Sequence, residues 1–571
     1  MSEEEKKETT ARARFDILLR NGRIMDGAGN PWFNADIAIK DGKIIKIGRL
    51  GSEKATSIID VSNLIVSPGF IDIHNHSDTS LIANPKMESK IRQGITTEVN
   101  GNCGSSPSPV NANTLNGKGL RKIPEEDVDW TTMGGYFQRL ERQGISQNVI
   151  TLVGHGTVRR YVMGDHQRMS TQSELDEMKG LVRAAMEDGA SGLSTGLSYA
   201  PGCYAHTDEV VELAKIVAEY DGIYASHLRE RGSEVLGWTG EYGSIYRAVD
   251  EAIEIGRRSG VRVIQLSHLI SHPPFLEDPD MSGKIRRLID ASREEGLNVN
   301  ADILPSDWGS VAPWPGRSVF SPSYLADGKD KLFEKLRDPM QRAQLKEELQ
   351  TRSPSEMGFE NTTDRLLLIR EGKGDCIRIY PPFNGHMKNP EYEKKTLDEI
   401  AKMKGKDLFD ALFDLLVEED GNICVTNKNM DDTMSQLTWS TTMPSTDGGG
   451  IERTGDKATK RVRPSAYGGF PEALAWVREK QQVTLEDMVR RMTSLPALAI
   501  GLTNRGLLKE GFWADVTVFD PINVRSMCNF DDDARPEYPE GIPFVIVNGV
   551  LVIKNSEHTN SMPGMVLRHP F

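Results

Sequence analysis

Two histidines stand one residue apart at the end of an apolar run, Val66-Ser67-Pro68-Gly69-Phe70-Ile71-Asp72-Ile73-His74-Asn75-His76. In extended backbone, residues i and i+2 point to the same side. The spacing therefore aims the imidazoles of His74 and His76 into one space and puts Asp72 beside them. Imidazole nitrogen is a common ligand of zinc and similar metals. A His-x-His pair alone is equally at home in a solvated loop, so its weight depends on where other chemistry-bearing residues fall. Asn100-Gly101-Asn102-Cys103-Gly104, Gly154-His155-Gly156, Ser226-His227-Leu228-Arg229, Ser267-His268 and Ser445-Thr446-Asp447-Gly448 each close an apolar stretch. Six of the 11 histidines (His74, His76, His155, His227, His268 and His272) lie at such ends or just beyond.

Zinc catalysis needs a small set of N, S or O ligands and one position open to water. Cys103, His227 and His268, from three separate ends, supply one thiolate and two imidazoles. Read alone, a lone cysteine is a small buried hydrophobe, and Asp447 before three glycines is a turn aspartate. Asp78 either orients an imidazole or caps the next helix. His155 either polarises a substrate or is a satisfied buried histidine.

Such residues need a scaffold that brings many strand ends together. Strand patterns fall at 66–76, 97–104, 148–156, 190–199, 223–230, 263–270, 298–305 and 437–448, with amphipathic helical segments such as 171–188, 246–259 and 281–295 between them. Strand–helix alternation with eight strands predicts an α/β fold, a (β/α)8 TIM-like barrel, whose chemistry sits at the C-terminal strand ends. Residues 15–65 and 503–571 read instead as strands and hairpins, with Asn21-Gly22, Asp41-Gly42 and Asn548-Gly549 as turns. Neither end has enough apolar surface to stand alone, so the two are expected to form one small β-sandwich domain around a barrel spanning 66–502. Residues 313–435, between the seventh and eighth strands, are too long for a barrel loop and read as an insertion over its mouth, with a charged helix across 328–351.

The chain has 571 residues, 38% hydrophobic and 27% charged, with a net charge of −14. That is an ordinary globular composition and gives no reason to expect a nucleic-acid partner. Five scattered cysteines without a CxxC pair argue against a disulfide framework. Residues 1–14 are polar and read as disordered. With neither a signal peptide nor a membrane span in the pattern, a cytoplasmic protein is expected, with homo-oligomerisation open.

The motifs resemble the amidohydrolase superfamily and, within it, the N-acyl-D-amino-acid deacylases (D-aminoacylases). The match rests on Pro-Gly-Phe-Ile-Asp-Ile-His-Asn-His-Ser-Asp (68–78), Gly-Ile-Thr-Thr-Glu-Val-Asn-Gly-Asn-Cys-Gly (94–104), Leu-Val-Gly-His-Gly-Thr (152–157), Gly-Leu-Ser-Thr-Gly-Leu-Ser-Tyr (192–199) and Ser-His-Leu-Arg-Glu (226–230). Ala-Tyr-Gly-Gly-Phe-Pro (466–471), Tyr-Pro-Glu-Gly-Ile-Pro (538–543) and Val-Asn-Gly-Val-Leu-Val (547–552) extend it over nearly the whole chain outside 313–435. The resemblance implies a tight zinc site at Cys103, His227 and His268, and a second, weaker one at His74 and His76 that Cys103 also faces. Most relatives bridge two metals with a carbamylated lysine. Residues 192–199 hold none, which agrees with a thiolate in that place.

The resemblance also implies Asp447 as the general base and acid, and Tyr199, Arg229 and Ser310 as substrate contacts. The reaction it implies is hydrolysis of a linear amide C–N bond, with hydroxide generated at the metal attacking the carbonyl. The pattern departs from the family where a substrate carboxylate is usually held: the matching places are Ile270, Leu304 and Ser465. Either Arg463, Arg461 or Arg453 replaces the lost cation, or the substrate is a neutral or bulkier amide, since burying an unpaired carboxylate is expensive. Rival readings are a cyclic-amide hydrolase of the hydantoinase or dihydroorotase kind and a non-catalytic scaffold. Cys103 and the missing lysine count against the first, the complete ligand set against the second.

Overall fold

The computed structural model describes residues 14–115, 120, 124–229, 244–269, 281–305, 308–312, 319–320, 324, 328–351, 364–381, 386–421, 423–428, 434–451, 464–528 and 537–570. Parallel strands run in chain order: Phe70–Asp72, Ile95–Asn100, Asn148–Thr151 continued by Val153–Gly154, Gly192–Gly196, Ile223–His227, Val263–Leu266, Val299–Ile303 and Thr442–Pro444. Neighbours are in register through pairs such as Asp72 with Glu98, Gly196 with His227 and Ile303 with Pro444. Just past the eighth and first strands, Asp447 N donates to His74 O at 3.0 Å and His76 N to Gly448 O at 3.3 Å. These strands are buried on both faces, which is why their sequences mix apolar and small polar residues instead of alternating.

Helices Met133–Gln143, Gln172–Glu187, Thr207–Glu219, Ser244–Ser259 and Met281–Glu294 follow successive strands, and buried residues of these helices share one apolar cluster with strand residues such as Val149, Leu193, Ile264 and Val299. The helix expected at 171–188 starts where its capping residues put it: Thr171 and Glu174 bond reciprocally in a capping box.

Strands from both ends of the chain share one nine-stranded sheet. Val516–Phe519 lies antiparallel to Ile65–Pro68, which runs parallel to the end of Phe15–Ile24. Asp41-Gly42 and Asn548-Gly549 are hairpin turns with φ of 50° and 78°, and 49° and 77°. Asn21-Gly22 is not. Phe15–Ile24 is one strand, paired with Phe33–Lys40 on both sides of a bulge at these residues, with Asn21 at φ 62°. The stretch 66–76 also divides: Ile65–Pro68 belongs to the mixed sheet and Phe70–Asp72 to the parallel one.

Described residues between 308 and 428 include a sheet and an apolar cluster of their own. Trp308–Ala312, Cys424–Lys428 and Ile377–Tyr380 make a separate antiparallel sheet, and an apolar cluster drawn from residues 319–423 fills the space beside it. The charged helix expected across 328–351 is two, Lys329–Arg337 and Pro339–Thr351, since proline cannot continue a helix from within. Among the described residues, no helix is long and apolar enough to cross a membrane.

A buried ionic brace ties the helix beginning at His155 to Thr207–Glu219. Glu209 accepts from His155 Nε2 at 2.8 Å, from Ser170 Oγ at 2.7 Å and from Arg159. Burial pushes the Glu209 carboxyl up, but His155 and Arg159 outweigh it and hold it at about 2. Its stabilisation is therefore complete above about pH 4.5 and lost as pH falls toward 2. Glu209→Gln strands a buried guanidinium and is expected to cost about 3 kcal/mol at pH 7. In urea titrations, the gap between the variant and the wild type should shrink as pH drops through that window.

Candidate metal centre and active site

Five elements deliver the donors. The loop after the second strand carries Cys103 inward because glycine allows close backbone approach on either side. A Cβ on Gly101, at φ 77°, would lie 2.1 Å from Leu152 O, and one on Gly196 would lie 2.2 Å from Cys103 O. Cys103 Sγ then sits 3.3 Å from His74 Nε2, 3.5 Å from His227 Nδ1 and 3.3 Å from His268 Nε2. His227 Nδ1 and His268 Nε2 are 2.7 Å apart. Asp447 Oδ1 reaches 3.0 Å from His76 Nε2 and 3.5 Å from His74 Nε2. Ligand atoms of His74, Cys103, His268 and Asp447 all lie within 4.8 Å of one another.

The donor set fits zinc. Tetrahedral zinc, with bonds of about 2.3 Å to sulfur and 2.0 Å to nitrogen, separates those ligands by roughly 3.5 Å, close to the three S···N distances here. Burial alone would raise the Cys103 thiol; the imidazoles of His74, His268, His227 and His76 outweigh it and hold the thiol well below its ordinary range. Thiolate is the ligating form. Burial and the neighbouring His268 push His227 down to about 4. Burial lowers His76, but the Cys103 thiolate and Asp447 overcome it and raise it to about 9.

Backbone strain marks the same residues. Cys103, His268 and Asp447 have φ of 52°, 34° and 43°, a region non-glycine residues occupy at a cost of about 1–3 kcal/mol unless the surroundings hold them there. Asp302 does much of the holding. Its Oδ1 accepts from His268 N at 2.9 Å and Ser445 Oγ at 2.8 Å, and its Oδ2 from Gln265 Nε2 at 2.9 Å. The same Oδ1 lies 3.2 Å from His74 Nδ1, an ion-pair distance without hydrogen-bond alignment. One carboxylate thus spans four strand ends. Ser198 Oγ, 2.6 Å from His227 Nε2, turns the other nitrogen of that ring toward Cys103. Neither Asp302 nor Ser198 was among the sequence candidates. The signal for Asp302 was an acid inside a strand buried throughout.

Comparison with known proteins agrees. The model of the Amidohydrolase family matches residues 57–255 and 454–553. The D-aminoacylase of Alcaligenes xylosoxydans xylosoxydans is 30% identical over 566 residues, covering 97% of each chain. The structure of N-acyl-D-glutamate deacylase from Bordetella bronchiseptica, complexed with zinc and a phosphonate mimic of the tetrahedral intermediate, matches with a TM-score of 0.72 and 30% identity over 97% of this chain and 99% of that one. A D-aminoacylase structure described for its binuclear metal centre gives 0.73 at 28% identity, over 97% and 100%. The chain belongs to the amidohydrolase family. Within it, the chain is a member of the N-acyl-D-amino-acid deacylases, and so a metal-dependent hydrolase of carbon–nitrogen bonds other than peptide bonds. The family match takes in His74, His76, Cys103 and His227 and omits His268, Asp302 and Asp447; only the fold brings those to the same cavity.

The amidohydrolase's remaining sequence candidates are spread more widely. Asp72 ends the first strand and turns from the histidines to Lys90 and Thr446. Asp78 accepts from Gly101 N at 2.8 Å, bracing the loop that leads to Cys103; burial raises it to about 6. His155 is held by Glu209. Tyr199 packs with its ring centroid 4.4 Å from that of His227. Arg229 is committed within the protein, donating to Glu251 and to the carbonyls of Cys203 and Ala205. Ser465 Oγ donates to Thr446 O at 2.8 Å, and Leu304 is buried. The Ser310 side chain and Ile270, His272, Arg453, Arg461 and Arg463 lie outside the described residues.

Cys103→Ala is expected to fold but to lose tight zinc. Elemental analysis after dialysis against a weak chelator should find well under one zinc per chain, against at least one in the wild type.

Proposed function

We propose that this amidohydrolase is a zinc-dependent hydrolase of linear N-acyl amides, built as a (β/α)8 barrel with a small β domain from both chain ends. The 313–435 insertion covers the barrel mouth. Cys103, His227 and His268 would hold the tighter zinc, and His74 and His76 a weaker one. A zinc held by these residues would supply an acidified water near neutrality and a Lewis acid for the amide carbonyl.

The observation that carries the reading is the position of Asp447. Its carboxylate faces both His74 and His76, and its side chain is 14% exposed. From there Asp447 takes the proton of the attacking water and returns it to the nitrogen as the C–N bond breaks, because an amide anion is a poor leaving group. Tyr199, whose ring lies 4.4 Å from that of His227, would bind substrate oxygen, with Ser310 as a further contact and Arg463 the cation only if the substrate keeps a carboxylate. Intact, converged ligands favour catalysis over a scaffold role. The relatives' names point to N-acyl-D-amino acids. Buried, apolar Leu304 and a Ser465 hydroxyl already given to Thr446 O favour an amide without a free carboxylate.

Asp447→Asn should keep its zinc and fold while kcat falls by about 100- to 10,000-fold. Steady-state kinetics with metal analysis on the same samples tests this, and near-normal turnover would remove the proton-transfer role. For specificity, kcat/KM for N-acetyl-D-leucine and for its primary amide should favour the amide. A strong preference for the acid would defeat the neutral-substrate reading.

A further inference from the structure

Behind Asp447 lies a buried ionic cluster that the reaction does not itself use. Lys90, from the short helix Glu88–Ile91, is fully buried. Its Nζ donates to Asp72 Oδ2 at 3.2 Å and to Thr446 Oγ1, and lies 3.8 Å from Glu98 Oε1. Asp72 in turn grips Thr446 twice, accepting from its backbone N at 3.1 Å and from its hydroxyl at 2.6 Å. Thr446 O accepts from Ser465 at 2.8 Å. The residue immediately before Asp447 is thus fixed at its nitrogen, its carbonyl and its side chain, and every partner is buried. Asp447 itself sits at φ 43°, a conformation that persists only where its surroundings impose it.

We infer that Lys90 and Asp72 are positioning residues that set the Asp447 carboxylate through Thr446. The inference deepens the proposed function, since it rests on Asp447 being the proton carrier. A buried lysine there has a physical reason. Asp72 takes two bonds from Thr446 and a third from Lys90, and a buried carboxyl is costly without donors or a cation beside it. Glu98 belongs to the same cluster: burial raises its carboxyl to about 7, and its Oε1 accepts from Ser77 Oγ at 3.2 Å. Thr446 is the residue through which the cluster reaches Asp447, while Asp72 lies two residues before His74 and Glu98 holds Ser77 beside His76, so zinc content has to be read together with turnover.

Thr446→Val keeps shape and backbone N–H and removes only the hydroxyl. Its crystal structure is expected to show the Asp447 carboxylate displaced by about 1 Å from its place 3.0 Å from His76 Nε2, a misplacement that costs up to about 100-fold in rate. With N-acetyl-D-leucine or its amide, kcat should fall about 10- to 100-fold at unchanged KM and zinc content, and Thr446→Ser should restore it. The pair Lys90→Met with Glu98→Gln removes one charge of each sign and serves if the valine variant does not fold; it should displace Asp447 likewise. An undisplaced carboxylate, wild-type turnover, or a loss matched by lost zinc overturns the inference. If the wild type cleaves neither compound, the proposed function fails, and the Asp447 displacement still decides this one.

Discussion

A thiolate among imidazoles has to be held in place, because nothing about the separate residues brings them together. Burial works against a charged Cys103, and the imidazoles of His74, His268, His227 and His76 around it favour one. The rest of the molecule answers this requirement. Five strand ends provide the directions, glycines at 101 and 196 let the cysteine loop close in, and Asp302 pins backbone and side chains from neighbouring strands to one carboxylate. Left-handed backbone at Cys103, His268 and Asp447 is the conformational cost of pointing these groups inward.

Two tiers of buried charge sit behind the centre. Asp302 serves the ligands, while Lys90, Asp72 and Thr446 serve the carboxylate opposite them. A third group, Glu209 with His155 and Arg159, lies further out and braces helices. All three are polar groups in places where apolar packing would be easier, and each is tied to several partners. Together they explain why a cavity lined with so many ionisable groups can keep one geometry.

The converging side chains of His74, Cys103, His227, His268 and Asp447 were legible in the sequence because each stands at the end of a strand pattern. Helix limits were legible where local chemistry sets them, as at Thr171 and Glu174. What escaped were residues whose meaning depends on distant partners. Asp302, Ser198 and Lys90 are ordinary polar residues until His74, His227 and Thr446 are folded against them. Asn21-Gly22 offers the same left-handed turn chemistry as Asp41-Gly42, and only pairing with Phe33–Lys40 on both sides makes it a bulge. Arg229 matches a family position near the substrate, but Glu251 on the next helix engages its guanidinium.

Zinc K-edge X-ray absorption on the holoenzyme tests the central claim most directly, since it reads the atoms around the metal without a substrate. One sulfur at about 2.3 Å with nitrogen or oxygen neighbours near 2.0 Å is the expected shell. A shell of nitrogen and oxygen alone, with no sulfur, would contradict the placement of Cys103 at the metal.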